Sequence, residues 1–542
     1  MISLTTLARC LTATLSATAA VATAGPALAQ ATLQPPVVYE AVDQFGVDVV
    51  SGSVQISSPT ISVGDPANGG LSFSASWDAT QEAWRYSTLS RISYEIDKSQ
   101  ACASLYTVVY MGSSNVFQRS GCGLLTFGRM EGVGSLAENP DGSYKYIAAD
   151  GSVAVYGGAS PGGASVQTIT KINGEVITFS ANSIRNNLGY ELRFTDSGGS
   201  QTVTAINNAV DSCAPTGPCA YSVAWPSLTF SAAGHERHVT DSLGRTTRVI
   251  LSGSTSGIDR PIGVARPSKA TGASITYGYS FVPGRGTMAT SVSDGVGTWT
   301  YAYETYCSPS PAPCHQPDVY QLNTTVTAPD GGQSIFHVIW SGVYIWVSPI
   351  EQELRLFPSM AWVVNALGKR TDIAQDSFGL HAVQYPEGNS ATFERTHEGL
   401  ITRVHNVAKP GSGLADTNIH VVYPDCALEP VLCRLPTTMT DARGNVTDYT
   451  YDAAGNLLTE TAPAPVLGAP RPQTRYAWDQ RYAWYKSNGS STIARAATPI
   501  WVLVKKSTCA AAAPATGCNG TADEVLTTTT YQAGSISVAS NL

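Results

Sequence analysis

Short runs in which apolar and polar residues alternate recur along the whole chain, and each meets Gly, Asp, Asn or Pro within five to ten residues. A period of two puts successive side chains on opposite faces of a strand, and the punctuating residues are those that reverse a chain. Ser143-Tyr-Lys-Tyr-Ile147, Glu175-Val-Ile-Thr-Phe179, Thr298-Trp-Thr-Tyr-Ala-Tyr303 and Val446-Thr-Asp-Tyr-Thr-Tyr451 are examples. Capped amphipathic helices of any length are hard to find, so the fold class expected is all-β. The most apolar internal stretch, Ile335 to Val347, is interrupted by His337, Ser341 and Gly342. It reads as paired strands rather than a membrane span, which needs about 20 apolar residues.

Several turns share one signature. In Val239-Thr-Asp-Ser-Leu-Gly-Arg-Thr-Thr247, Val363-Val-Asn-Ala-Leu-Gly-Lys-Arg-Thr371 and Met439-Thr-Asp-Ala-Arg-Gly-Asn-Val-Thr447, an Asp or Asn stands three residues before Gly. The carboxylate or amide bonds the local backbone while Gly takes the positive φ that other residues resist. Gly368 and Gly379, Gly388 and Gly399, and Gly444 and Gly455 are each eleven apart, and Gly368 to Gly388 is a step of twenty. Two turns per twenty residues means two strands per repeat, and such hairpins must stack side by side to bury a core.

The clearest copy is Asp441-Ala-Arg-Gly-Asn-Val-Thr-Asp-Tyr-Thr-Tyr-Asp-Ala-Ala-Gly-Asn-Leu-Leu-Thr-Glu-Thr461. It resembles the repeat of the Rhs/YD-repeat family, in which Gly, a short strand, Tyr-Asp, two residues, Gly, a polar residue and Leu follow one another. Gly444, Tyr451, Asp452, Gly455 and Leu457 fall on that pattern. The resemblance implies stacked antiparallel hairpins forming a curved or spiralling sheet, a partial shell, often built around a C-terminal toxin segment. Complete members carry a core motif and a variable domain after their repeats, and nothing of that kind follows Leu458, so either a truncated gene product or a fragment is expected. On this reading residues 1–29 are a signal peptide, 30–138 an N-terminal β region, 139–230 hairpins leading into the repeats, and 231–542 degenerate repeats.

The first thirty residues concern destination. One basic residue, Arg9, precedes the uncharged stretch Leu11 to Val21, and Ala27-Leu28-Ala29 closes it before Gln30. That order is a secretory signal with an A-x-A cleavage site. Cys10 lies before the apolar core, which argues against a lipoprotein anchor. The expected destination is the periplasm, cell surface or exterior, without stable membrane insertion.

Cysteine spacing agrees with export. Of the eleven cysteines all but Cys10 fall into neighbouring pairs: Cys102 and Cys122, Cys213 and Cys219, Cys307 and Cys314, Cys426 and Cys433, Cys509 and Cys518. Five local disulfides are expected, each closing a short loop for about 2 kcal/mol. The spacings do not fit a metal site, so neither metal nor cofactor is expected. The net charge of −8 and the 13% of charged residues exclude the basic surface that nucleic acid requires.

Candidate chemistry reduces to turns. Gly158-Ala-Ser-Pro-Gly162 has the string of a hydrolase elbow but is not followed by a helix. His235-Glu-Arg-His238 has two histidines three apart in a strand-like segment, and His397-Glu398 has Ile401 where a second histidine belongs. Gly132-Val-Gly134 and Gly284-Arg-Gly286 lack the third glycine of a nucleotide loop. No catalytic residue is nominated. Arg475-Tyr-Ala-Trp478 and Arg481-Tyr-Ala-Trp484 repeat at an interval of six, so Trp478 and Trp484 are the candidate stacking residues for a ligand, with packing against a neighbouring coil the plainer role.

The expected function is an exported, non-enzymatic scaffold that encloses or presents a toxin or other domain. The alternatives are a cell-surface module binding glycan or protein, and a secreted hydrolase on a β scaffold. Export is checked by mass spectrometry of the secreted or periplasmic chain, whose first residue is expected near Gln30.

Overall fold

The structure is a computed structural model and describes residues 41–79, 82–97, 102–119, 127–131, 133–157, 163–215, 217, 219–253, 258–269, 271–308, 319–348, 351–376, 379–509 and 523–542. The signal segment 1–29 lies outside them. Among the described residues there are 40 strands and one short 3-10 helix, Pro66–Asn68. No helix among them is long and apolar enough to cross a membrane.

One sheet of 33 strands makes up most of the molecule. From Ser135–Glu138 to Gln473–Arg481 every strand pairs antiparallel with the next strand in sequence, a meander without a crossover. Ile500–Cys509 and Val525–Thr528 continue it. Four earlier strands, from Arg91–Asp97 to Phe127–Glu131, form a second meander. It joins the main ladder through Ile92 and Ala164. The sequence expectation of stacked antiparallel hairpins therefore holds across the main sheet.

Ile335 to Val347, expected as a pair of strands, is instead a single strand, Gln333–Ser348, of 16 residues, paired with Glu351–Val364. Its interruptions are absorbed rather than turned. His337 takes Asn323 Oδ1 at 2.7 Å, a bulge follows at Val338, and Ser341 and Gly342 keep their places in the ladder. A polar residue ends a strand only where its polar groups lack partners.

A single-layer sheet leaves its apolar face in need of cover, and the N-terminal segment supplies it. Val47, Val49, Val54, Ile56, Phe73 and Trp77 are almost wholly buried. Residues 61–75 lie over strands between Ile92 and Val239. Val47, Val54, Ile56 and Trp77 lie over strands between Val249 and Tyr301, and Val49 over those between Leu322 and Ile373. The segment thus runs along the sheet in reverse, its first residues meeting later strands than its last ones. Backbone bonds hold it there: Tyr277 donates to the Phe45 carbonyl at 2.9 Å, Thr324 to that of Val49 at 2.6 Å, and Ala289 N–H to that of Gly52 at 2.9 Å. Tyr301 donates to Asp43, and burial, then the Asp43 carboxylate, raises the Tyr301 pKa.

The sheet also winds back on itself. Since antiparallel strands reverse direction, successive turns alternate between its two long rims. One rim of the early strands meets the opposite rim of the late ones. Trp501 N–H donates to the Asn173 carbonyl at 2.7 Å, Lys486 N–H to that of Asn208 at 3.0 Å and Gly134 N–H to that of Glu398 at 3.3 Å. Asn187 Nδ2 reaches Thr498 Oγ1 at 3.0 Å, and Asn541 Nδ2 the Leu188 carbonyl at 2.6 Å. Turn tips of one coil therefore sit on turn tips of the next, and the strand ladder itself does not close.

Phe73 is fully buried between Phe194 and Phe230, with ring centroids 5.8 and 6.2 Å away. Phe73→Ala is expected to cost about 3–5 kcal/mol, read as a lower midpoint in denaturant unfolding followed by fluorescence.

Candidate functional site

The repeat signature forms a five-residue return. At Asp452 the carboxylate Oδ1 accepts the N–H groups of Ala454 and Asn456, both at 2.9 Å, and Oδ2 accepts Asn456 Nδ2 at 2.8 Å. The main chain closes the loop twice, Gly455 N–H to the Asp452 carbonyl and Asp452 N–H to that of Asn456, each at 3.0 Å. Gly455 has φ +90°, the conformation such a three-residue hairpin loop requires. Asp441 repeats the arrangement with Arg443, Asn445 and Gly444, and Asp241 and Asn365 do so with Leu243 and Arg245, and Leu367 and Lys369. The Asn445 amide holds the Asp441 carboxyl below the usual carboxylate range. That support is present above the unfolded pKa and is lost as pH falls through the folded value.

Other turns share the main-chain bonds without Asp or Asn at the first position: Ala148 with Gly151, Lys171 with Gly174, Ala328 with Gly331, Tyr385 with Gly388 and Thr396 with Gly399. Sequence reading found Gly388 and Gly399 by their spacing but not the turn at Ala328, because only the glycine is obligatory. Tyr451 donates to the Pro436 carbonyl at 2.8 Å, burial raises its phenol pKa, and Leu457 is buried beneath the turn. The Tyr-Asp pair is therefore structural. Tyrosine ties its strand to the preceding loop, and aspartate makes the next return.

The seam between coils holds buried polar side chains, among them Asn187, Asn208 and Arg434. Arg434 is buried, and burial lowers its pKa. Its Nε donates to the Ala148 carbonyl at 2.9 Å and its Nη2 to Ser135 Oγ at 3.1 Å. The disulfide between Cys426 and Cys433, with Cα atoms 4.7 Å apart, shapes the loop that delivers it. A second disulfide joins Cys213 and Cys219, Cα atoms 5.4 Å apart, at another seam loop. There Gly489 N–H bonds Ser212 Oγ at 3.0 Å, and Arg185 Nη1 bonds Asn488 Oδ1 at 2.6 Å. Cys509 is disulfide-bonded, and its expected partner Cys518 lies outside the described residues. So do Cys122 and Cys314, and the side chains of Cys102 and Cys307.

Trp478 and Trp484 part company. Trp478 lies in the main sheet and donates Nε1 to the Leu457 carbonyl at 2.7 Å. Trp484 belongs to a separate hairpin, Trp484–Lys486 with Ile493–Arg495, and Gly534 lies against its ring. Both are half-buried, and the six-residue interval does not put them on one face because the strand ends at Arg481.

A cavity of about 810 Å³ opens between residues 51–57, 74–79 and 85–89 of the N-terminal segment and the neighbourhood of Arg260, Tyr279 and Thr287. Its described lining is rich in serine and holds Asp78, Arg85 and Arg260, with no histidine or cysteine. The other candidate strings are scattered. His238 bonds Glu236 at 2.8 Å, which also pairs with Arg248, while His235 stands exposed near Asp259. His397 and Glu398 form a turn whose Glu398 carbonyl serves the seam. Gly158 to Gly162 and Gly132 lie outside the described residues. Among the described residues no group of three His, Cys, Asp or Glu is placed to hold a metal.

These features define an all-β protein of stacked hairpins whose recurring motif is structural. Residues 435–465 match the RHS Repeat family model, so this is an RHS-repeat-containing chain, with the match on the stretch that holds Tyr451 and Asp452. A search of curated proteins finds no match. Among solved structures the chain aligns with the crystal structure of TcdB2-TccC3-Cdc42, at TM-score 0.14 and 9% identity over 84% of this chain and 30% of that one. It also aligns with that of TcdB2-TccC3, at TM-score 0.13 and 10% identity over 83% of this chain and 34% of that one. The chain thus spans about a third of the length of those chains.

The two repeat glycines test turn against seam. A Cβ at Gly444 would meet nothing within 4 Å, whereas one at Gly455 would meet Ile172 at 3.0 Å and Leu435 at 3.3 Å. Gly444→Ala is expected to cost about 1 kcal/mol from the positive φ alone, and Gly455→Ala about 1 kcal/mol more, read as the larger fall in melting temperature.

Proposed function

We propose that the protein is a structural scaffold whose repeats wall off or hold another polypeptide domain, a toxin segment being the class that the Rhs/YD resemblance implies. The observation that carries this reading is the sheet itself. It is a meander that winds back on itself and carries an RHS repeat, and its recurrent polar groups are spent on turns and seams. The scattering of the candidate catalytic strings supports a non-enzymatic role. The cysteine pairs and the Arg9 to Ala29 pattern support work outside the cytoplasm.

A protease-sensitive reporter domain fused after Leu542 tests the enclosing role. Cleavage is expected to slow roughly tenfold relative to the free reporter, because sheltered chain is cut only when it opens. Equal cleavage rates would sink the reading.

A further inference from the structure

The rim that carries the seam extends well beyond it. On the early strands its turns are covered by the next coil, and Ala148 and Leu188 there are buried. Among the described residues the same rim is uncovered from residue 242 onward, and its chemistry changes in a regular way. Leu243, Val296, Leu367, Leu414 and Leu467 each stand in a turn on this rim and are at least 75% exposed. They occupy every second turn of the rim, one for every four strands, so their spacing is about 19 Å. The turns between them, at 266–269, 328–332, 385–389 and 441–445, present Lys269, Asp330, Glu387, Asp441 and Arg443 instead. On the early part of the opposite rim, the turns at 139–143, 180–182, 198–199 and 234–235 hold only Asn, Asp, Ser, Gly, His, Pro and Ala; farther along it Phe281 and Leu428 are 72% and 79% exposed.

We propose that this rim is a dimerisation surface, and that its occupant is the same rim of a second copy of the chain, related by a two-fold axis through Leu367. Continuity, chemistry and symmetry identify the occupant. The rim continues an interface already formed within the chain, where hairpin tips seat on hairpin tips. The early turns of the opposite rim, which a head-to-tail copy would meet, are polar and do not complement an apolar row, so stacking head to tail leaves the leucines unmatched. A two-fold axis at right angles to a helical ramp carries the ramp onto itself, so an evenly spaced row meets its copy in register. Leu367 then meets Leu367, Val296 meets Leu414, and Leu243 meets Leu467. In that register each exposed apolar tip is covered by its counterpart on the partner. This goes beyond the scaffold reading, which stands whether or not the chain pairs.

The test uses the full mature chain in solution. Light scattering after gel filtration is expected to give twice the chain mass at micromolar concentration. The triple variant Leu243→Lys, Leu367→Lys, Leu414→Lys is expected to raise the dissociation constant by roughly tenfold or more and to leave the far-UV spectrum unchanged, since all three side chains are exposed. Register is read by cysteine. Leu367→Cys alone is expected to form an intermolecular disulfide, whereas Val296→Cys alone is not, and Val296→Cys mixed with Leu414→Cys is. A monomeric wild type, including one that pairs only with a different β-sheet protein, overturns the proposal. So does a dimer that survives the triple variant, or cross-linking that does not follow this register.

Discussion

Everything in this protein depends on each strand being returned to its neighbour in register. In a sheet whose side chains alternate faces, a slip of one residue at any turn would carry every later apolar residue to the wrong side. The five-residue return prevents this by closing the loop with two main-chain bonds and a glycine at positive φ, so that loop length is fixed locally. Aspartate and asparagine strengthen the return at Asp241, Asn365, Asp441 and Asp452, but the bare version at Ala148 or Ala328 has the same shape. Where a strand must absorb an awkward residue, a bulge does so without disturbing the return, as at Val338 and beside Tyr451.

Local order of this kind makes a sheet but not a core, because hairpins in a single layer have nothing above them. Two long-range devices complete the structure. The N-terminal segment covers the apolar face of strands up to Ile373, and the seam joins early turns to late ones. The first contributes mainly apolar burial, at about 1.5–3 kcal/mol for each large side chain. The second is polar and directional, and it sets which coil lies beside which. Arg434 shows the difference: its apolar stem is buried, yet its contribution is the pair of bonds to Ala148 and Ser135.

What was legible in the sequence follows from the same division. Strand alternation and the Asx-to-Gly spacing are local, so fold class, hairpin stacking and the Tyr451-Asp452 repeat could all be read. Turns beginning with Ala148, Lys171 or Thr396 could not be read as easily, because their geometry resides in the backbone and only the glycine leaves a trace. The cover given by Val47 and Val49 and the meeting of Arg434 with Ala148 left no mark at all. No periodicity connects residues so far apart in the chain. Trp478 and Trp484 show the converse: a conspicuous local repeat was divided between two sheets because the strand that would have unified it ends at Arg481.

The reversed path of the N-terminal segment bears on how the chain acquires its shape. Thr324 bonds the Val49 carbonyl across 275 positions, and the earliest part of the segment serves the later strands. A chain that emerges amino end first presents this strip before any of the sheet exists. Each hairpin then closes locally and lays its apolar face on a strip already waiting, beginning at the strip's far end and working back toward its start. A hairpin closed in this order meets its cover as soon as it forms, although each such contact still spans a long stretch of chain.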